Sequence, residues 1–209
     1  MARYIGPVCR LCRRENTKLF LKGDRCNSSK CSIEKKKGIP GDTQKKRRKN
    51  MSEYGIQLRE KQKVKRYYGL LEKQYRNLFD KAARKGGITG EIFLSYLERR
   101  FDNVVFRLKL ASSRKQARQM IGHGLFTIND KKVNIPSVML RANDEVKIKE
   151  KYTNLDLLTS NLEMLDHAPL PEWLEFDQDK KVGKIIRNPE KQDIDLEIEE
   201  NLIVELYNK

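Results

Sequence analysis

Residues 111–150 read ASSRKQARQMIGHGLFTINDKKVNIPSVMLRANDEVKIKE, and this is the most informative stretch of the chain. It predicts a helix with its N-terminus at Ser113, because Ser113 and Gln116 have the spacing of a capping box. Gly122 and Gly124 end that helix. We expect its buried face to consist of Ala117, Met120 and Ile121. We expect its outer face to present the cations Arg114, Lys115 and Arg118.

The second half of the same stretch has the pattern of β-strands joined by turns. The segments FTI at 126–128 and KVNI at 132–135 flank the turn Asn129-Asp130, which predicts a hairpin. The segment RANDEVKIKE at 141–150 adds another turn and a further strand. With the helix that precedes it, the stretch predicts two helices backed by a small antiparallel sheet, with cations on the helices.

Further helices are predicted upstream of this stretch. One is capped by Ser52, runs to about Tyr67 and is stopped by Gly69. It carries five cations on its polar faces, namely Arg59, Lys61, Lys63, Lys65 and Arg66. A second helix is predicted from Glu72 to Lys85, where two glycines end it. Its inward positions are predicted from the helical spacing of Tyr75, Leu78, Phe79 and Ala82.

A third upstream helix is expected to start near Thr89 or Gly90 and to lead towards residues 111–150. Its apolar positions recur at helical spacing and predict a core face of Phe93, Leu97, Phe101, Val104, Val105 and Leu108. Its arginines are expected to face outward, namely Arg99, Arg100 and Arg107.

All four cysteines of the 209-residue chain lie in residues 9–31, a basic segment that we call the knuckle. Cys9 and Cys12 form one close pair, Cys26 and Cys31 form another, and 13 residues separate the pairs. This spacing is typical of a structural zinc site with four thiolates. Two disulfides, or an iron–sulfur cluster, would use the same residue type and stay open as alternatives. A four-thiolate site has no free coordination position, so the predicted metal would stabilise structure and would not catalyse.

The positive charge is concentrated in the first 121 residues. Residues 1–50 carry 16 Lys and Arg against 4 Asp and Glu, and residues 51–121 carry 17 against 7. Residues 122–209 carry 12 against 18, so the last third is acidic. A membrane-surface protein would usually show a long amphipathic helix or a lipidation signal, and we see neither. The charge therefore predicts a nucleic acid bound to the first 121 residues. We expect a cytosolic protein, because no run approaches the roughly 20 apolar residues that span a bilayer and the N-terminus has no signal-peptide apolar region.

Between the knuckle and the first long helix lies a strongly basic arm. It reads EKKKGIPGDTQKKRRKN at 34–50, and its five consecutive cations, Lys45 to Lys49, repel one another. We expect the arm to be unfolded until a polyanion binds it, although a solvated linker is the alternative.

The acidic third predicts elements of its own. The segment NLDLLTSNLEML at 154–165 indicates a helix capped by Asn154. The segment at 172–186 indicates a second hairpin anchored by Trp173 and Phe176. The tail at 193–209 is expected to end in a short helix or a strand.

No motif indicates catalysis. The chain has two histidines, and one of them, His123, lies in a Gly-His-Gly turn beside the basic helix. His123 could contact a phosphate or a base, or it could be an inert surface residue, and the sequence leaves both alternatives open. Nucleophile-elbow, P-loop, zinc-protease and zinc-deaminase motifs are absent from the sequence. We therefore expect that the protein is not an enzyme. One alternative is an RNA-modifying enzyme, which would need a further catalytic domain. The other alternative is a regulator that binds mRNA.

Several segments resemble one known family over essentially the whole chain. They include ARYIGPVCRLCRRE at 2–15, YGIQLREKQKVKRYYG at 54–69, RNLFDKAARKGGITG at 76–90, SRKQARQMIGHG at 113–124 and NLIVELY at 201–207. In the same order they are similar to the bacterial small-subunit ribosomal protein number four, in its zinc-binding variant. The module from residue 99 to about 151 also resembles one found in pseudouridine synthases, a tyrosyl-tRNA synthetase tail and a heat-shock RNA-binding protein.

This resemblance implies a structural, primary rRNA-binding protein that nucleates assembly of the small ribosomal subunit in the cytoplasm. It also implies that the arm at Lys45 to Lys49 touches mRNA where the message enters the subunit. The acidic part would contact a neighbouring ribosomal protein at an interface linked to decoding accuracy. The family pattern Pro-Gly-x-His-Gly is matched here only at Pro40-Gly41, and some members lack the cysteines.

The expected fold class is α+β. The resemblance implies three parts: the zinc knuckle with the arm at 1–45, a helical domain at 46–98 completed by about 180–209, and an inserted RNA-binding module with a following helix and hairpin at 99–179. The candidate RNA-binding residues are Arg3, Arg10, Arg13, Arg14, Lys22, Arg25, Lys30, Lys35, Lys36, Lys45, Lys46, Arg47, Arg48, Lys49, Arg59, Lys61, Lys63, Lys65, Arg66, Arg99, Arg100, Arg107, Arg114, Lys115, Arg118 and His123.

Overall fold

A computed structural model describes residues 3–41, 51–153, 155, 158, 161 and 170–208. The chain folds into two compact units. The first unit comprises Met1–Phe93 and Leu196–Lys209, and the second comprises Leu94–Asp195. No helix among the described residues combines the length and the apolar character needed to span a membrane.

The first unit contains the knuckle and a group of helices. In chain order these are α1 (Cys9–Glu15), a single 3-10 turn (Gly23–Cys26), α2 (Glu53–Tyr67), α3 (Glu72–Ala83), the start of α4 (Thr89–Glu98) and α7 (Glu200–Tyr207). The predicted start of α2 is confirmed, because the Ser52 hydroxyl accepts a hydrogen bond of 3.2 Å from the Gly55 amide. The chain turns after α2 at Gly69, whose φ is 62°.

Aromatic side chains form much of the core of the first unit. The rings of Tyr75 and Phe93 meet edge to face with centroids 4.9 Å apart, and Phe79 meets Phe93 at 5.4 Å. Tyr207 on α7 stacks on Phe79 with centroids 4.3 Å apart. The predicted inward positions of α3 are thus confirmed, and the chain end closes this core with the helix that the sequence left open as helix or strand.

The C-terminal segment is also fastened to α2 by polar contacts. Gln57 donates to Glu205 at 2.9 Å, and the Lys63 ammonium donates to the Glu197 carbonyl at 2.8 Å. The segment that joins the first unit begins at Leu196 and is shorter than the predicted 180–209. The reason is that residues 182–185 form a strand in the sheet of the second unit.

The second unit packs helices against one antiparallel sheet. It contains the end of α4, then α5 (Phe101–Arg107) and α6 (Arg114–Gly122). The sheet consists of β1 (Phe126–Ile128), β2 (Lys131–Lys132), β3 (Glu145–Ile148), β4 (Leu174–Asp177) and β5 (Val182–Ile185). Its five strands lie in the order β2-β1-β3-β5-β4. Both predicted hairpins are confirmed, and pairing of β3 with β5 joins them into a single sheet.

One predicted helix is in fact two, because the chain turns at Arg99 and Arg100. Arg100 has the extended backbone of an N-cap residue, with φ −64° and ψ 138°. The amides of Phe101 and Asp102 donate to the carbonyls of Val138 and Pro136 at 2.8 and 3.0 Å. A continuous helix would have used these amides internally; here they fix the loop between β2 and β3 instead.

The turn between β1 and β2 follows the sequence prediction. Asn129 and Asp130 have φ angles of 48° and 63°. Positive φ angles at both central residues are required in a two-residue hairpin turn whose twist matches that of the flanking strands. β2 covers only Lys131–Lys132 and is shorter than the predicted KVNI strand.

The core of the second unit lies between α5, α6 and the sheet. Phe101, Leu108, Ile121, Phe126 and Trp173 are fully buried there. β5 approaches α5 closely at Gly183, where a Cβ atom would lie 2.5 Å from a methyl carbon of Leu108. Most of the helix predicted at 154–165 and the arm cations Lys45 to Lys49 lie outside the described residues.

Candidate nucleic-acid interface

The knuckle is organised around its thiols. Cys12, Cys26 and Cys31 are buried, Cys9 is half-buried, and all four are free. The Leu19 amide donates to Cys12, and the Lys22 amide donates to the Cys26 sulfur at 3.4 Å. Burial raises the pKa of the Cys12 and Cys26 thiols, and the charges of the neighbouring thiols raise it further. The thiols are therefore near enough to interact electrostatically.

The ligand geometry of a metal site is not formed by these thiols. Within the described ranges, no group of three or more His, Cys, Asp or Glu side chains is arranged to hold a metal ion. The donor chemistry nevertheless fits a thiolate-binding metal, because buried sulfurs that accept backbone N–H bonds are suited to carry the charge of a ligand. The zinc site stays a prediction.

The surface of residues 3–41 is strongly basic. Two carboxylate residues, Asp24 and Glu34, are exposed in this segment. Its exposed cations are Arg3, Arg10, Arg14, Lys22, Arg25, Lys30, Lys35, Lys36 and Lys37. Nine exposed cations against two exposed carboxylates give this short, turn-rich scaffold a positive surface. Arg13 differs from these, because it is half-buried and donates to the Gly38 carbonyl at 3.2 Å.

Two arginines of α2 serve the packing of α1 on α2. Arg59 and Arg66 both pair with Glu15, whose side chain is only 2% exposed. Burial raises the pKa of Glu15, although the charges of Arg66 and Arg59 oppose that rise. Arg59 and Arg66 were predicted to bind RNA, and in the structure they neutralise a buried carboxylate.

The three lysines of α2 also have acidic partners. Lys61 and Lys65 both pair with Glu72, and Lys63 pairs with Glu60 at 2.8 Å. Burial alone would raise the pKa of Glu72, but the hydrogen bonds and charges of Lys61 and Lys65 lower it. The five cations of α2 thus share three carboxylates, which leaves a modest excess of positive charge on this helix.

The predicted outward orientation of Arg107 and Arg114 is wrong. They are 4% and 6% exposed, respectively. Arg107 forms a two-pronged ion pair with Glu98 at 2.9 and 3.0 Å, and Glu98 itself is fully buried. Arg114 donates to Asn103 at 2.8 Å and lies over the ring of Phe106, 4.4 Å from its centroid. Helical spacing predicted that both arginines lie on the polar face of their helices. In the structure Glu98 pairs with Arg107, while Asn103 and the Phe106 ring contact Arg114, so both side chains are buried.

The predicted outward orientation of Arg100 is wrong for the same reason. Arg100 is 3% exposed and binds both oxygens of Asp102 at 3.1 and 2.9 Å. Arg118 donates to the same carboxylate at 2.6 Å. Burial would raise the pKa of Asp102, but the charges and hydrogen bonds of Arg100 and Arg118 lower it. This cluster fastens the start of α5 to α6.

Other candidates of the module stay at its surface. His123 is exposed at the C-terminus of α6, and Lys115 is half-buried. Arg99 is half-buried and donates to the Leu140 carbonyl at 2.7 Å. Sequence reasoning missed Lys131 and Lys132, which are exposed on the edge strand β2. Their position directly after the Asn-Asp turn was a usable signal, because residues at a hairpin tip face solvent.

Two family models match consecutive parts of the chain, and their boundary at residues 98 and 99 lies five residues beyond the boundary between the two compact units. Residues 3–98 match the family model described as "Ribosomal protein S4/S9 N-terminal domain", and residues 99–146 match the model described as "S4 domain".

The chain is similar along its whole length to proteins named "Small ribosomal subunit protein uS4". Identity is 52% to the protein of Acetivibrio thermocellus, 53% to that of Trichlorobacter lovleyi and 48% to that of Thermus thermophilus. Each of these alignments covers 100% of both chains over 209 residues.

Proposed function

Because the chain belongs to the family of the small ribosomal subunit protein uS4, we propose that it is a structural constituent of the small ribosomal subunit. In this role it binds small-subunit rRNA, contacts neighbouring ribosomal proteins and catalyses no reaction. It works in the ribosome, in the cytoplasm. Early binding that nucleates subunit assembly, and a contribution to decoding accuracy, are finer parts of the proposal.

The observation that carries this proposal is the exposed basic surface of residues 3–41. Folded RNA is recognised largely through its phosphates and its shape, which favours cations held on rigid scaffolds. Arg10 and Arg14 are exposed on α1, and Lys22 and Arg25 are exposed on the turns that follow. The buried Glu15 holds the same helix against α2.

The salt dependence of binding tests this proposal. A transcript of the small-subunit rRNA 5′ domain should bind with an affinity that falls steeply as salt rises, because each neutralised phosphate releases counterions. Replacing two phosphate contacts in Arg10→Gln/Arg14→Gln should make the logarithmic salt slope shallower by about 1.4–1.8. Lys180→Gln/Lys184→Gln removes the same charge from the acidic third and should leave the slope unchanged. A wild-type slope near zero would contradict the proposal.

We also propose that Cys9, Cys12, Cys26 and Cys31 hold one structural zinc ion. The burial of three of these thiols supports this, as do the backbone N–H groups that donate to Cys12 and Cys26. Zinc would supply about 10–16 kcal/mol of apparent binding free energy to a segment with a small apolar core.

Elemental analysis tests the metal directly. The purified protein should contain about one zinc per chain, and Cys12→Ser/Cys26→Ser should contain none. Chelation of the wild-type protein should loosen residues 9–31 in hydrogen exchange. Iron in place of zinc, or a metal content of zero, would contradict the proposal.

For the arm we propose a contact with mRNA where the message enters the subunit. The support is the run of cations from Lys45 to Lys49 together with membership of the family. Crosslinking between an arm residue and a short mRNA on assembled subunits tests this contact. A crosslink yield that is unchanged when all five cations are replaced by Gln would contradict the proposed contact.

A further inference from the structure

Phe20 is an exposed aromatic side chain in the middle of the basic knuckle. It is 41% exposed, whereas the preceding Leu19 is fully buried. The nearby cations Lys22 and Arg25 are both exposed. Single exposed apolar side chains are common on protein surfaces, so it is the backbone of Phe20 and its basic surroundings that set this residue apart.

The backbone holds Phe20 in a conformation that bulky residues seldom adopt. Its φ is 48°, in the left-handed region where glycine and asparagine are favoured. The hydrogen bonds on either side explain this angle. The Leu19 amide donates to the Cys12 thiol, and the amides of Leu21 and Lys22 donate to the Cys26 thiol. The chain must turn between these two anchors, and the turn falls on Phe20.

We propose that Phe20 is a stacking platform for one unpaired base of the bound rRNA. Proteins recognise single-stranded RNA by stacking unstacked bases on aromatic side chains. Lys22 and Arg25 supply positive charge near the phosphates on either side of that base. The thiol anchors fix the backbone on both sides of the ring, so stacking requires little ordering of the protein. This inference rests on the proposed rRNA-binding function and assigns one of its contacts.

The surroundings favour RNA over a protein as the occupant. Exposed cations outnumber exposed carboxylates by nine to two in residues 3–41. A polyanion matches that charge, whereas a hydrophobic protein contact would need a depletion of charge around the ring.

Two variants separate stacking from folding. Phe20→Gly and Phe20→Asn both suit a positive φ, so the melting temperature should stay within a few degrees of the wild type. Each should weaken binding of the 5′-domain transcript about 5- to 150-fold, the range expected for loss of one stacked base. The salt slope should not change, because no cation is removed. Ile186→Ala is the matched control: Ile186 is 50% exposed but lies in the acidic third, and its loss should not affect affinity.

Phe20→Trp provides a spectroscopic readout. The chain has one other tryptophan, Trp173, which is fully buried, so a new exposed indole would report on position 20. The variant should bind as tightly as the wild type, and its added fluorescence should be quenched by the transcript. A fully paired RNA duplex should quench it much less, because its bases are already stacked.

The outcomes distinguish this inference from the function on which it rests. If the wild-type protein binds the transcript and both Phe20→Gly and Phe20→Asn bind equally well, the stacking contact is refuted, and a protein neighbour becomes the occupant to test. If the wild-type protein itself shows no salt-dependent binding, the proposed function fails as well.

Discussion

Glu98 is the residue whose replacement should damage the second unit most. Its carboxylate is fully buried and accepts two hydrogen bonds from Arg107 and one of 2.7 Å from Asn103. Glu98→Gln keeps the shape of the side chain but removes its charge. The Arg107 guanidinium would then remain buried, and Asp195 also pairs with it. Since the Asp195 side chain is 73% exposed, that charge is screened by water.

The expected loss follows from the cost of an uncompensated buried charge. Removing one partner of a buried ion pair typically costs about 3–5 kcal/mol. The second unit, Leu94–Asp195, has 102 residues, so its unfolding entropy is about 0.21 kcal/mol/K. The melting temperature of this unit should therefore fall by about 14–23 °C.

Calorimetry of the full chain tests this value, and a double variant provides the control. Glu98→Leu/Arg107→Met replaces both charges by apolar groups and should restore stability to within about 1 kcal/mol of the wild type. Asn103 would keep its other hydrogen bond, of 2.8 Å, to the backbone carbonyl of residue 98. Below the melting temperature, Glu98→Gln should bind rRNA with the wild-type salt slope, because the substitution removes no cation and Arg107 is buried. A loss below about 1 kcal/mol would refute the structural role of Arg107.

Two further predictions concern the second unit. Because Arg100 and Arg118 hold the pKa of Asp102 below its ordinary value, the stability that this carboxylate contributes is present above about pH 4 and lost as the pH falls through the folded-state pKa. Urea unfolding should therefore show the gap between wild type and Asp102→Asn narrowing below about pH 4, and a constant gap would argue against the pair. Asn129 combines a φ of 48° with a side chain that accepts a 2.9 Å hydrogen bond from the Glu145 amide. Asn129→Ala should cost about 1–3 kcal/mol, and Asn129→Gly, which suits that φ, should cost clearly less; equal losses would contradict a strained turn.

Much of the fold was accessible from the sequence because its determinants are local. The Ser52 cap, the Asn129-Asp130 turn and the apolar spacing of α3 are each set by a few neighbouring residues, and all three are confirmed. The turn at Arg100 was missed, because the amides that end the helix are satisfied by the carbonyls of Pro136 and Val138, more than 30 residues away. Local periodicity contains no information on such partners.

The candidate RNA-binding residues also comprise a part that the sequence predicted and a part that it did not. Exposure of the knuckle cations followed from their density in a segment with too little apolar surface to bury them. The roles of the arginines of α5 and α6 did not follow, because helical periodicity assigns Arg107 and Arg114 to a polar face and does not reveal the buried Glu98 and Asn103. Phe20 was also missed, since its exposure depends on the thiol anchors on either side of it.

Composition and short-range spacing fix where the charge, the thiols, the helices and the turns lie, so these features could be read from the sequence. Which cations stay exposed could be read from the tertiary structure alone. Burying a guanidinium is tolerable only when a carboxylate from another part of the fold meets it, as Glu98 meets Arg107 and Asp102 meets Arg100 and Arg118. Such pairs depend on how the helices pack. Arginines therefore stabilise the core in the second unit, whereas in the knuckle they form an exposed basic surface.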